Sequence, residues 1–238
     1  MITGKTIGHG AATTPGGMKV GYRLIIPEKT PANLAIIATS SKQWQATVER
    51  FRRLADAGRI PIMVAKRATF VEEALAHSAE TLRVGGCCVL VCQADDGRIL
   101  GVTEYVLAPP IAYLNIQATD PEQLAGSPGV AQLRGIGTAL VAAASRDFLS
   151  KRVETVYVHP LDDAAAAWWY RRGFKVCEPG TLCLRGRSMV ENLKGSCELK
   201  PDCPDLADCL VCGTPAQTEA MRLPASRENP TTPSSAPR

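Results

Sequence analysis

AQLRGIGTAL, residues 131–140, is the stretch whose reading decides the fold. Gln132, Leu133 and Arg134 lead into two glycines, Gly135 and Gly137. An apolar run then places Leu140, Val141, Ala144 and Phe148 at helical spacing. The first N–H groups of a helix lack intrahelical acceptors and sit at the positive end of its dipole. Glycine backbone lets an anion come close, and Arg134 adds a full charge. The pattern predicts a phosphate cradle at a helix start. It is not a dinucleotide fingerprint, because the third glycine of G-x-G-x-x-G would fall at Leu140. It is not a P-loop either, because no Gly-Lys-Ser/Thr follows.

Working outward, VETVYVHP reads as a strand after this helix. A short helix follows in DDAAAAWWYRRG, capped by Asp162 or Asp163 and ended by Gly173. FKVCE and TLCLRGRS, around Pro179-Gly180, form a last hairpin. Upstream, IAYLNIQA (111–118) is a strand, and CCVLVCQA and RILGVTEYVL flank Asp95-Asp96-Gly97, a strong hairpin signal. Two helices are expected before that hairpin. One is capped by Ser41, with Trp44, Val48, Phe51 and Ala55 on its inner face. The other is capped by Thr69, with Val71, Leu75, Ser78 and Leu82 on one side. IPIMVA (60–65) reads as a strand between them. KVGYRLIIP (19–27) reads as an early strand, residues 32–40 are an apolar run of open type, and residues 1–18, rich in Gly and Thr, read as loose. Strands alternating with helices in this order make an α/β domain with a mixed sheet.

Composition bounds the rest. The chain has 238 residues, of which 45% are hydrophobic, enough for a real core, and the net charge of +4 is too mild for a nucleic-acid stripe. No run approaches the about 18 apolar residues of a membrane span. The N-terminus has no apolar signal segment, so a cytoplasmic location is expected, and the nine cysteines are expected as free thiols or metal ligands rather than disulfides.

The set QLRGIG, TALVAAASRDF, VETVYVHP and DDAAAAWWYRRGF, in that order after the DDGRILGV hairpin, resembles the GNAT N-acetyltransferase superfamily. The resemblance covers about residues 87–185. It implies an α/β fold with a GNAT-like mixed, mostly antiparallel sheet flanked by helices, and acetyl-CoA as cosubstrate. It assigns the diphosphate to Leu133, Arg134, Gly135, Ile136, Gly137 and Thr138, with Gln132 leading the motif. It assigns the pantetheine arm to the strand before the loop, at Asn115, Ile116 and Gln117, where that strand parts from its neighbour. The sequence departs from the family in the long TDPEQLAGSPGVA insertion between strand and loop.

Acetyl transfer to an amine needs a base for the ammonium proton, donors for the oxyanion and an acid for the thiolate. Glu104, an acid inside an apolar strand, is the candidate base, since burial favours the protonated carboxyl. The family's usual tyrosine position holds Trp169, so Tyr170 is the candidate acid, unless no side-chain acid is used. His159 closes a strand near the expected cleft, and a structural role suits it. Asp162 sits where the family often has a cofactor-contacting Asn. His9 and His77 receive no role. The expected function is transfer of an acetyl group from acetyl-CoA to a primary amine of a small molecule or protein. The alternative is a non-catalytic GNAT-fold module that binds CoA or a partner protein. A homodimer is compatible with either; membrane and nucleic-acid partners are not expected.

The domain reading is an N-terminal extension, partly strand, over 1–40; a GNAT-like domain over 41–190; a cysteine-containing segment over 191–212; and a disordered tail over 213–238. Cys197, Cys203, Cys209 and Cys212 include one C-x-x-C pair, short of the two-pair zinc signature, and no metal is expected.

Overall fold

The structure, a computed structural model, describes residues 1–123 and 133–185. Along the chain come β1 (Gly4–Thr13), β2 (Lys19–Pro27), α1 (Pro31–Asp56), α2 (Ile62–Val84), β3 (Cys88–Ala94), β4 (Ile99–Ala108) and β5 (Ile111–Thr119). A short 3-10 turn (Pro121–Gln123) follows, then α3 (Ile136–Ser150), β6 (Thr155–Val158), α4 (Asp163–Tyr170), β7 (Lys175–Glu178) and β8 (Thr181–Arg185). The strands form one sheet in the order β1-β2-β3-β4-β5-β6-β8-β7. Only β5 and β6 run parallel. This is the mixed, mostly antiparallel sheet flanked by helices that the motif order implies.

Strand alternation divides the core between the two faces of the sheet. Leu24, Leu90, Cys92, Leu114 and Val156 pack with Leu140, Ala144 and Phe148 of α3 and Trp169 of α4. Ile25, Val89, Val91, Val102 and Ala118 pack with Ile37 and Trp44 of α1 and Val71 and Leu75 of α2. A third cluster joins α1 to α2 through Val48, Phe51, Val64 and Ala68. The expected hairpin turns at Gly97, whose φ of 94° is the left-handed conformation that glycine adopts without cost.

Four local expectations are corrected. Residues 4–13 are not loose: they form β1, paired with β2 from Gly4↔Pro27 to Thr13↔Lys19. Residues 32–40 belong to one long α1. Pro31 stands in its first turn, where the missing N–H costs nothing, and Thr30 caps it by accepting from Asn33 N–H at 3.2 Å. Ser41 is therefore mid-helix, and its hydroxyl donates to Glu72 of α2 at 3.1 Å. Residues 60–65 are not a strand, since α2 starts at Ile62 behind Pro61; so short an apolar run has no period of its own to separate strand from helix. Thr69 lies within α2 and donates to the Ala65 carbonyl at 3.1 Å. Buried Asn33 joins α1 to the N-terminus: its Nδ2 donates to the carbonyls of Thr3 and Glu28, and its Oδ1 accepts from Thr3 N–H.

Candidate active site

The site begins with a defect in the sheet. On the β4–β5 ladder Glu104 faces Ile116, and the next residue, Tyr105, faces Leu114. Asn115 is thus an extra residue, a β-bulge. A bulge increases local twist and can end pairing with the strand beyond. The β5–β6 ladder does end there: Leu114↔Val158 is its last pair. From Ile116 to Thr119, β5 stays paired with β4 but has no β6 beside it. The two parallel strands part, and Asn115, Ile116 and Gln117 stand at the parting.

The cleft leads to the start of α3. Gly135 caps the helix with φ 91°, and the first helical bond is from Ala139 N–H to the Gly135 carbonyl at 2.8 Å. The N–H groups of Gly135, Ile136, Gly137 and Thr138 therefore have no intrahelical acceptor. Two of the six expected backbone donors are engaged within the protein. Leu133 N–H donates to the Gln123 side-chain carbonyl at 2.5 Å, and Arg134 N–H donates to the Thr13 carbonyl at 3.2 Å. The other four expected donors are those of Gly135–Thr138. The Arg134 side chain is exposed and lies off the cavity wall, and Gln132 lies outside the described residues.

A cavity of about 360 Å³ fills the space between these parts. Gln117, Ala118 and Thr119 of β5, Gly135–Thr138 of α3, Arg67, Phe70 and Val71 of α2, and Asp162, Trp168 and Trp169 at α4 line it. Gln117 is a brace: its Oε1 accepts from the Thr103 hydroxyl, and its Nε2 donates to the Gly137 carbonyl at 3.3 Å. A Cβ on Gly137 would point at Gln117 and Trp168, 3.4 and 3.5 Å away, so glycine keeps the cavity floor open. Asp162 caps α4 by accepting from Ala165 N–H at 2.8 Å, and it takes Arg67 Nε at 2.7 Å across the cavity. Burial pushes the Asp162 carboxyl up, but the Ala165 N–H and the Arg67 guanidinium outweigh it and hold the group below the ordinary aspartate value.

Sequence reasoning missed Arg172. Its guanidinium lies 3.2 Å over the Trp168 ring, donates to the Trp168 carbonyl at 2.9 Å, and donates to the Thr138 hydroxyl in the first turn of α3. Burial, then the neighbouring Arg171 charge, pushes it down to about 9, still cationic at neutral pH. It adds positive charge beside the helix start. The only sequence signal was a basic pair at the end of a short helix, the usual pattern of a solvated C-terminus.

The candidate catalytic residues separate. Glu104 is buried, 1% exposed, at the register position beside the bulge; its Oε1 lies 3.7 Å from His77 Nε2, and its Oε2 has no hydrogen-bond partner. Tyr170 is not on the cavity wall: it packs against the core at the end of α4, while Trp168 and Trp169 form the wall. His159 is exposed and pairs with Thr181 Oγ1 at 3.2 Å, away from the cavity wall. The thiols of Cys87, Cys88 and Cys92 are all pushed up by burial, which disfavours a thiolate nucleophile. Among the described residues no group of three His, Cys, Asp or Glu is placed to hold a metal, and no helix is long and apolar enough to cross a membrane. Cys197, Cys203, Cys209 and Cys212 lie outside the described residues.

No protein-family model and no curated protein sequence matches the chain. Solved structures that resemble it include the PaiA N-acetyltransferase from Thermoplasma acidophilum in complex with coenzyme A. That likeness has 17% identity and a TM-score of 0.42, covering 69% of this chain and 98% of that one. AtaTR bound with acetyl-CoA is similar at 18% identity and a TM-score of 0.42, over 50% of this chain and 81% of that one. A putative acyl-CoA N-acyltransferase from Klebsiella pneumoniae is similar at 14% identity and a TM-score of 0.38, over 69% and 96%.

Proposed function

We propose that the chain transfers an acetyl group from acetyl-CoA directly to a primary amine. One observation carries this reading. A strand parts from its parallel neighbour at a bulge, and the cleft so formed ends on the N–H groups of Gly135, Ile136, Gly137 and Thr138, which have no intrahelical acceptor. A diphosphate suits those donors, the helix dipole and nearby Arg172. An extended amide-bearing arm suits the open edge of β5, whose backbone groups would pair with it as an added strand would. Such an arm carries its thioester toward Asn115.

Glu104, buried and off the cavity wall, faces Ile116 beside the bulge, and it takes the proton of the acceptor ammonium. The freed amine adds to the thioester carbonyl, the C–S bond breaks, and the surplus proton on the newly bonded nitrogen passes to the departing sulfur, so that coenzyme A leaves as the free thiol. With Tyr170 against the core, no acid of useful strength lines the described wall, and the thiol departs without a side-chain donor. The thiols of Cys87, Cys88 and Cys92 take no part, because direct transfer needs no covalent enzyme intermediate.

Release of free thiol from acetyl-CoA, followed across a panel of small amines, amino acids and lysine peptides, tests the reading. Turnover that Glu104→Gln lowers by roughly 10²–10⁴ supports it. Binding of CoA without turnover of any amine would favour a non-catalytic CoA-binding module.

A further inference from the structure

A buried base faces a difficulty of its own. It collects one proton in every turnover and must release it before the next. Glu104 is 1% exposed and cannot hand its proton to bulk water directly. Its surroundings offer few exits. Val89 of β3 and Ile116 of β5 stand across from it on the two ladders, and neither titrates. Cys87, just ahead of β3, is close, but burial and then the Glu104 charge push its thiol up, so it keeps its own proton at neutral pH and cannot accept another. From α2 comes His77, with Nε2 3.7 Å from Glu104 Oε1 and its side chain 61% exposed. On the solvent side lies exposed Glu80, whose carboxyl is held down by its Arg83 partner and, least of the causes, by nearby His77.

We propose that His77 is the proton outlet of Glu104, linking the buried carboxyl to solvent in each turnover. This rests on the transferase reading above and adds a residue to it. The Glu104 carboxyl gives its O–H proton to His77 Nε2, restoring the carboxylate. The imidazolium then releases a proton to water or buffer, restoring the neutral ring. No atom is left over and no oxidant is involved. Imidazole suits the task because it both takes and gives a proton between pH 5 and 8. The separation of 3.7 Å exceeds a direct hydrogen bond, so transfer requires a small approach of the exposed, unpacked ring.

The test uses the full chain, acetyl-CoA and whichever amine the wild-type protein acetylates fastest. His77→Gln keeps the surface polar and removes the relay. At low buffer concentration it should lower kcat by roughly tenfold or more while leaving the melting temperature and the Kd for CoA unchanged. Added imidazole should restore the rate in proportion to its concentration. A purely structural role would move stability or KM and would give no buffer dependence. Glu104→Gln should be slow and should not respond to imidazole. His77→Gln turning over at the wild-type rate in dilute buffer, with Glu104→Gln inactive, overturns the outlet and leaves the base in place. Equal rescue of both variants also overturns it. Glu104→Gln turning over normally removes the base and the outlet together, and no turnover by the wild-type protein removes the transferase reading itself.

Discussion

Arg134 donates its backbone N–H to the carbonyl of Thr13 at 3.2 Å, tying the last residue of β1 to the loop that opens α3. The neighbouring Leu133 N–H is held by the Gln123 side chain at 2.5 Å. The approach to the helix start is therefore fixed from two sides, by the first strand and by the turn after β5. The next four residues, Gly135–Thr138, line the cavity.

Gln123→Glu separates anchoring from charge. The carboxylate accepts from Leu133 N–H as well as the amide did, but it places a negative charge at the end of the cavity proposed for the diphosphate. CoA affinity should fall by about tenfold or more, with the melting temperature within a few degrees of wild type. Gln123→Ala should cost about fivefold, the worth of one lost neutral hydrogen bond. Calorimetric titration with CoA measures both.

Glu104 should lower the stability of the protein. Its Oε2 is buried with no partner, and such a group carries a desolvation cost. Glu104→Gln should raise stability by about 1–2 kcal/mol while removing turnover. Urea unfolding at pH 7 reads the first effect, and thiol release reads the second. A variant both slower and less stable would mean that the carboxylate holds the fold together.

Asp120 should make stability fall between about pH 4 and pH 6. Burial pushes its carboxyl from the ordinary 3.8 up to about 6, although the Glu122 N–H opposes the shift. The folded state then binds this proton more tightly than the unfolded chain. Its contribution is fully present below pH 4 and is lost as pH rises through 6. Asp120→Asn keeps the acceptor for Glu122 N–H and removes the charge. Above pH 7 it should be more stable than wild type by up to about 3 kcal/mol, with the difference gone near pH 4. A pH series of thermal melts checks the sign.

Phe148 anchors α3 on the sheet. It is fully buried and meets Tyr105 edge-on at 5.0 Å, and the Tyr105 hydroxyl donates to Asp147 at 2.9 Å. Phe148→Ala should cost about 3–5 kcal/mol, read by denaturant unfolding, and should weaken CoA binding by loosening the helix that carries the cradle.

The helix start at Gly135 was legible because its chemistry is local: bare backbone, a cation and an apolar helical period within ten residues. The β3–β4 hairpin and the Asp162 cap were legible for the same reason. The β1 strand was not, because GKTIGHGAAT has no clean alternation of apolar residues and takes its register from β2. The boundaries of α1 and α2 were blurred by Pro31 and Pro61, each of which stops an upstream element as readily as it starts a helix. The bulge at Asn115 belongs to the pairing of two strands, and no single strand spells it. His77 and Arg172 meet Glu104 and Thr138 only after folding, so their spacing in the chain carried no sign of either contact.

The account depends most on the first turn of α3 holding a diphosphate. Calorimetric titration of CoA into the wild-type protein and into Gly137→Glu tests this most directly. Gly137 has an ordinary helical backbone, and a Cβ there meets nothing closer than 3.4 Å, so the variant should fold while directing a carboxylate into the cavity. The account predicts that wild type binds CoA and acetyl-CoA and that Gly137→Glu loses at least about a hundredfold in affinity, close to 3 kcal/mol. An unchanged Kd in a folded Gly137→Glu protein, or a wild-type chain that binds neither ligand, would contradict it.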